Sequence, residues 1–503
     1  MDKLTDDIKS FVTEDAAAIE TRNEALARVL LWTSSSKTPQ ENLTSLVTTH
    51  LAPYLASEGK DAARGRATLL LGRVVADLVR RGGGGGGDFS PSVIGTDAGE
   101  PTLNASTISF LCKFFCGRME SDYGSVQGCL EALLSMASPE RSGSMSATIA
   151  ERMSMLASLQ KLHVPQMAVN LRILSHHLFD VLVNDDEICA QIRTKSKKNY
   201  SNEIVEQFCD AMNQESDPRC LKRCFGTATR LMTAFENDLS NESVEKMFEV
   251  LECYVPIEFT PPPNDIRGIT QNDLVLGLRG FFSCSARLAD DVVDMVRERL
   301  ESEDSTATAR SDVLRTLVDA LPIFCSSNGN KGNKDGDNEV EDDALPWVKT
   351  TLVQVLQATI EEVLSGAGDD EVVLEAALRL VHVVSQLSAV CPALVPCCLS
   401  LLSTFVKESF QEAETFRASS SVRGVISYSA LLHRLPFVFL SSCFVFLFSC
   451  LTVLSFFLPS FLPFLPFLLF LSFLFNLSFP LLRLLSFQSL FLFVTVTGSS
   501  YSY

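Results

Sequence analysis

No two cysteines in this 503-residue sequence stand at Cys-x-x-Cys spacing, although there are fifteen of them. That absence excludes the common zinc-finger and iron–sulfur ligand patterns. Cys112/Cys116 and Cys220/Cys224 are each one helical turn apart inside apolar stretches, and the adjacent Cys397 and Cys398 point different ways on a helix. They read as small apolar core residues, and neither a metal nor any other cofactor is expected. Histidine is scarce too: His50, His163, His176, His177, His382 and His433 are all there is. His176-His177 with Asp180 puts a carboxylate one turn from an imidazole. The same helix carries a full apolar stripe, so a helix-face pair is the simpler reading. Gly-x-Ser-x-Gly, His-Glu-x-x-His and Rossmann fingerprints are missing. No catalytic residue is assigned, and the chain does not read as an enzyme.

Positive charge also runs short. Against 42 Lys+Arg there are 61 Asp+Glu, a net charge of −19. Such a surface repels phosphate backbones, so no direct nucleic-acid binding is expected. The start, Met1-Asp2-Lys3-Leu4-Thr5-Asp6-Asp7, is polar and lacks a secretory apolar core. It reads as the start of a cytosolic or nuclear chain, where thiols stay reduced.

Alternating strand patterns are nearly absent, Val255–Thr260 being the exception. What is present from about Asp15 to His433 is helix after helix. Leu70, Leu71, Val74, Val75, Leu78 and Val79 recur every three to four residues, and so do Met167, Leu171, Leu174, Leu178 and Leu182. Val373, Ala377, Leu380, Val384 and Leu387 keep the spacing that puts them on one face. Helices of this kind joined by short polar turns stack pairwise, each pair covering its neighbour's apolar face. The irregular phase fits HEAT-type repeats, so the predicted fold is an all-α α-solenoid, an armadillo-like elongated right-handed superhelix. The rival is one irregular globular helical domain.

Composition divides the chain. Residues 1–81 read as N-terminal helical repeats, and residues 82–105, opening with Gly82–Gly87, as a flexible linker without the Gly-Lys-[Ser/Thr] of a phosphate-binding loop. Residues 106–325 are further repeats. Residues 326–343, with Asp335, Asp337, Glu339, Glu341, Asp342 and Asp343, read as a disordered acidic loop without calcium-loop spacing. Residues 344–433 resume the repeats, and residues 434–503 form a hydrophobic tail.

The most informative stretch runs from Cys253 to Leu274. Val255–Phe259 is β-branched and aromatic, hence extended. Pro261, Pro262 and Pro263 impose polyproline geometry, and Asn264 and Asp265 offer turn-type caps. Gly268 suits a left-handed position, and Thr270 with Asp273 makes a variant capping box for a helix whose buried face starts with Leu274, Leu278 and Phe281. A stiff loop of this kind either locks the angle between repeats or offers a partner-binding edge. The candidate protein-binding residues are Tyr254, Pro256, Phe259, Pro261, Pro262, Pro263, Asn264, Asp265, Gly268 and Asp273.

This block resembles the MMS-nineteen family, whose members carry Cys-Tyr-x-Pro-Ile-[Asp/Glu]-Phe-Thr-Pro-Pro-Pro-Asn-Asp-x-x-Gly-Ile followed by Asp-Leu-x-x-x-Leu-Arg. Here these are Cys253, Tyr254, Pro256, Ile257, Glu258, Phe259, Thr260, Pro261, Pro262, Pro263, Asn264, Asp265, Gly268 and Ile269, then Asp273, Leu274, Leu278 and Arg279. The resemblance implies a HEAT-repeat protein without catalytic residues, found in nucleus and cytoplasm. It implies recruitment of apo iron–sulfur proteins (helicases, polymerases and primase) to cytosolic iron–sulfur assembly components. It also implies a link to the general transcription–repair helicase complex. Such proteins are much longer, and the repeats that dock cluster-carrying partners lie beyond what this sequence holds.

The tail departs from the family. Phe, Leu, Ser and Pro fill fifty of the 59 positions Leu435–Phe493, and Arg483 is the one charged residue after Arg434. All-pyrimidine codons specify those four amino acids, so the tail reads as translated non-coding sequence. The alternative is a membrane-anchored helical-repeat protein, with Phe437–Phe457 and Phe461–Leu482 each long enough to span. Pro459, Pro463, Pro466 and Pro480 weigh against the second span.

Overall fold

The computed structural model describes residues 2–13, 19–34, 39–57, 61–82, 103–137, 147–194, 200–262, 268–302, 304–326, 355 and 371–387. Most of the expected linker and acidic loop, the helical segments after residue 347 apart from 371–387, and the whole 434–503 tail lie outside the described residues. The chain divides into two units, Met1–Trp347 with Gly368–Ala376, and Val348–Ala367 with Ala377–Tyr503. In the second unit, Val355, Ala377, Leu380 and Val384 are buried.

Every regular element described is helical. In chain order these are α1 (Asp2–Thr13), α2 (Ile19–Ser34), α3 (Pro39–Ser45), a π-helical stretch (Leu46–Leu51), α4 (Ala52–Leu55), α5 (Asp61–Gly82) and α6 (Ala105–Ser121). There follow α7 (Val126–Ala137), α8 (Ile149–Leu159), α9 (Val169–Val183), α10 (Asp186–Thr194), α11 (Tyr200–Met212) and α12 (Pro218–Phe235). The last are α13 (Asn241–Glu252), α14 (Gln271–Phe282), α15 (Ala289–Glu301), α16 (Ala307–Ser326) and α17 (Glu371–Leu387). The stretch α1 extends the helical region upstream of the predicted start near Asp15, because Ile8, Phe11 and Val12 make a buried stripe on it.

Local signals set the boundaries. Asn104 accepts from the Thr107 N–H ahead of α6, and Thr148 and Glu151 form a reciprocal capping box on α8. Asp217 caps α12, where Pro218 fills the first turn, whose N–H groups have no helical partner.

Packing in the first unit follows solenoid order. Helices α5, α7, α9, α12, α14 and α16 each lie against the next in one row, while α6 packs on α8 and α11 on α13 in the other. Burial drives this. Phe115, Phe225, Phe235, Phe281, Phe282 and Phe324 are fully enclosed, each worth roughly 1.5–3 kcal/mol of transfer free energy. Glycine lets α5 and α7 approach closely, since a Cβ on Gly128 would stand 2.6 Å from Leu69 Cα. Ion pairs cross from helix to helix along the row: Arg73–Glu131 at 3.0 Å, Arg223–Asp180 at 3.0 Å and Lys222–Asp273 at 3.2 Å. Among the described residues no helix is long and apolar enough to cross a membrane.

Candidate functional site

The loop between α13 and α14 is tied down at both ends. At its start the Tyr254 hydroxyl donates to the Met212 carbonyl at the end of α11, 2.9 Å away, and the ring meets Phe225 of α12 edge-on. Burial pushes the Tyr254 phenol up from its ordinary pKa. The Val255–Pro256 peptide is cis. Pro256 and Ile257 then line a small cleft with Leu278, Phe282, Met295 and Val313. Gln271 Nε2 donates to the Ile257 carbonyl at 2.6 Å.

At the far end Gly268 has φ +64°, the left-handed conformation anticipated for it. Thr270 and Asp273 form the expected capping box, the Asp273 N–H donating to Thr270 Oγ1 at 3.1 Å and the Thr270 N–H to Asp273 Oδ2 at 2.9 Å. Those bonds and Lys222 hold the Asp273 carboxyl down at about 2. Arg279 reaches Asp312 at 3.8 Å and Asp319 at 3.6 Å on α16.

The candidate residues therefore divide. Tyr254, Pro256 and Asp273 fasten the loop to its repeat, and the exposed Gly268 supplies its left-handed turn. Pro261 and Pro262 are exposed, as are Glu258 and Thr260, and Phe259 is half-buried between them. That short edge is what the loop presents outward. Pro263, Asn264 and Asp265 lie outside the described residues.

Beneath Tyr254 lies a polar cluster that the sequence reading did not anticipate. The Gln214 backbone has φ +62°, the one positive value at a non-glycine among the described residues, and the next residue, Glu215, is buried. Glu215 Oε1 accepts from the Ser216 and Asp217 N–H groups, both at 2.9 Å, and from Arg172 Nη2 at 3.0 Å. Oε2 accepts from Arg172 Nε at 2.8 Å. Burial alone would raise this carboxyl. Arg172 and the two N–H groups instead hold it well below the usual carboxylate range.

His176 of α9 faces the same carboxylate. Its Nε2 lies 3.7 Å from Glu215 Oε2, and its Nδ1 lies 3.4 Å from Cys224 Sγ. Cys220, one turn earlier on α12, is also buried, and burial with Glu215 nearby pushes its thiol up to about 12. Asp180, read from sequence beside His176, pairs instead with Arg223 and Thr227. The missing signal was Glu215. It sits on a short connection between helices, 39 residues from His176, where helical periodicity carries no information.

Comparison with known proteins places this geometry. The family described as "Dos2-interacting transcription regulator of RNA-Pol-II", the MMS19 N-terminal family, matches residues 48–333, a span holding the loop and the cluster. The chain belongs to the MMS19 family. The "MMS19 nucleotide excision repair protein homolog" of Xenopus laevis is 31% identical over 165 residues, covering 33% of this chain and 15% of that protein. Its Homo sapiens counterpart is 32% identical over 180 residues, 36% of this chain and 16% of that protein. The MMS19 relative of Saccharomyces cerevisiae, a "DNA repair/transcription protein", is 29% identical over 135 residues, 27% of this chain and 13% of that protein. The matched stretches thus span about a sixth or less of these MMS19 relatives' own length.

Proposed function

We propose that this chain is a HEAT-repeat adaptor of the cytosolic iron–sulfur protein assembly targeting complex. In this reading it recruits apo iron–sulfur proteins of DNA repair, replication and transcription (helicases, polymerases and primase) for cluster insertion, in both nucleus and cytoplasm. It performs no catalysis itself. The observation that carries the reading is the family match over residues 48–333, joined to relatives named for nucleotide excision repair and transcription. The stacked helices support it, because rows of amphipathic helices expose long side-by-side faces to protein partners. So does the acidic balance, which disfavours nucleic acid as the direct ligand.

The edge Glu258–Pro262 is one contact surface in this proposal, held rigid by Tyr254 and Asp273. Tagged chain should retain apo iron–sulfur helicases from solution, and retain little duplex DNA at physiological salt. Charge reversal on several helix faces, with Glu258→Lys among the changes, should reduce client capture. Undiminished capture after all such reversals, or tight salt-dependent DNA binding, would overturn the proposal.

A further inference from the structure

His176 Nε2 is buried without a hydrogen-bond partner, and the residue is only 5% exposed. It faces Glu215 Oε2 at 3.7 Å, and the coordinating atoms of His176, Glu215 and Cys220 all lie within 4.8 Å of one another. The other ring nitrogen already has a neighbour, since Nδ1 lies 3.4 Å from Cys224 Sγ. When Nδ1 carries the ring proton and donates it to that sulfur, a lone pair on Nε2 confronts a lone pair on the carboxylate. Two acceptors so placed in a dry interior repel unless a cation stands between them.

The chemistry of the three atoms selects the cation. An imidazole nitrogen, a carboxylate oxygen and a thiolate sulfur form a mixed set that suits zinc rather than calcium or magnesium, which take oxygen. Tetrahedral zinc with bonds of about 2.0–2.3 Å needs ligand atoms roughly 3.5 Å apart, a contraction of at most about 1.3 Å from separations within 4.8 Å. Oε2 accepts a single hydrogen bond, from Arg172, so it keeps a lone pair free. Cys224 then has the orienting role that a partner on the second ring nitrogen has in such sites.

A fourth position is also at hand. His176 lines a cavity of about 40 Å³ together with Gln160, Ser175 and Gln207. Gln160 Nε2, Ser175 Oγ and Gln207 Oε1 are buried there without hydrogen-bond partners in the protein. A space of this size and polarity accommodates about two waters.

We propose that His176 Nε2, Glu215 Oε2 and Cys220 Sγ bind one zinc ion beneath the Tyr254 loop, with a water from the adjoining cavity as the fourth ligand. The ion is a structural staple: it joins α9, the connection at Glu215 and the first turn of α12. Binding exchanges the Cys220 thiol proton for the metal, Zn²⁺ plus the thiol giving the zinc thiolate plus one proton released to solvent. The ring proton stays on Nδ1, against Cys224. Because a proton is released, affinity rises about tenfold per pH unit while the free thiol remains protonated.

The test is metal analysis of the full chain, purified without chelator and then dialysed against zinc. One equivalent of zinc per chain is expected. It should fall below a tenth of an equivalent in Cys220→Ser and in His176→Gln, with helical circular dichroism retained. Cys224→Ser should keep the site but weaken it by about 10–100-fold. Cobalt loaded into the wild-type chain supplies a readout that needs no variant, because thiolate ligation gives a sulfur-to-cobalt charge-transfer band. Less than a tenth of an equivalent in the wild-type chain after dialysis would overturn the proposal. So would zinc retained in both ligand variants, cobalt bound without the charge-transfer band, or iron in preference to zinc. The rival occupant, a proton on Nε2, corresponds to the first of these results.

Discussion

The Tyr254 hydroxyl donates to the Met212 carbonyl, joining the start of the family block to the end of a helix 42 residues earlier. That bond, the edge contact with Phe225 and the buried Glu215 below make Tyr254 part of the repeat interior rather than of its rim. Replacing Tyr254 with Phe keeps the ring and leaves the Met212 carbonyl with the Glu215 N–H as its one remaining donor. Unfolding in urea should show a loss of about 0.5–1.5 kcal/mol with an unchanged m-value. An unchanged midpoint would mean the bond contributes nothing net.

Glu215 makes a stronger and pH-dependent prediction. Glu215→Gln removes the charge that faces the half-buried Arg172 guanidinium, at a cost of about 1.5–3 kcal/mol. In the wild-type chain the folded carboxyl lies well below its ordinary value of 4.5. Its contribution is therefore complete above about 4.5, the unfolded value, and is lost progressively as pH falls below it, because the unfolded chain binds the proton first. Stability measured between pH 3 and 6 should fall less steeply with acid in Glu215→Gln than in wild type. Parallel curves would refute this.

Two glycines should respond oppositely to the same substitution. A Cβ on Gly72 would collide with the Gly128 carbonyl across the α5–α7 contact, whereas one on Gly226 of α12 meets nothing within 4 Å. Gly72→Ala should destabilise by about 1–3 kcal/mol, and Gly226→Ala should stabilise by about 0.5–1 kcal/mol through helix propensity. Thermal melts of the two variants check the signs.

Helical periodicity alone locates α5, α9, α14 and α17 to within a few residues, because each buries one continuous stripe. The Thr270–Asp273 capping box and the left-handed Gly268 were equally legible, being local to a few adjacent residues. What periodicity does not carry is which polar residues converge. His176 reads as a helix-face residue beside Asp180, yet its partners are Glu215 and Cys224, supplied by the next repeat. The family block likewise displays its most distinctive residues in a row. Only packing separates those that fasten the loop, Tyr254, Pro256 and Asp273, from those left facing outward, Pro261 and Pro262.

The adaptor reading turns on whether the chain distinguishes an iron–sulfur protein before and after its cluster is inserted. The direct measurement is the dissociation constant of the purified full chain for one iron–sulfur helicase, prepared both as apo-protein and cluster-loaded. The expected result is saturable binding of the apo form, at least tenfold tighter than the loaded form. Absence of binding to the apo form, or equal affinity for the two, would contradict the account.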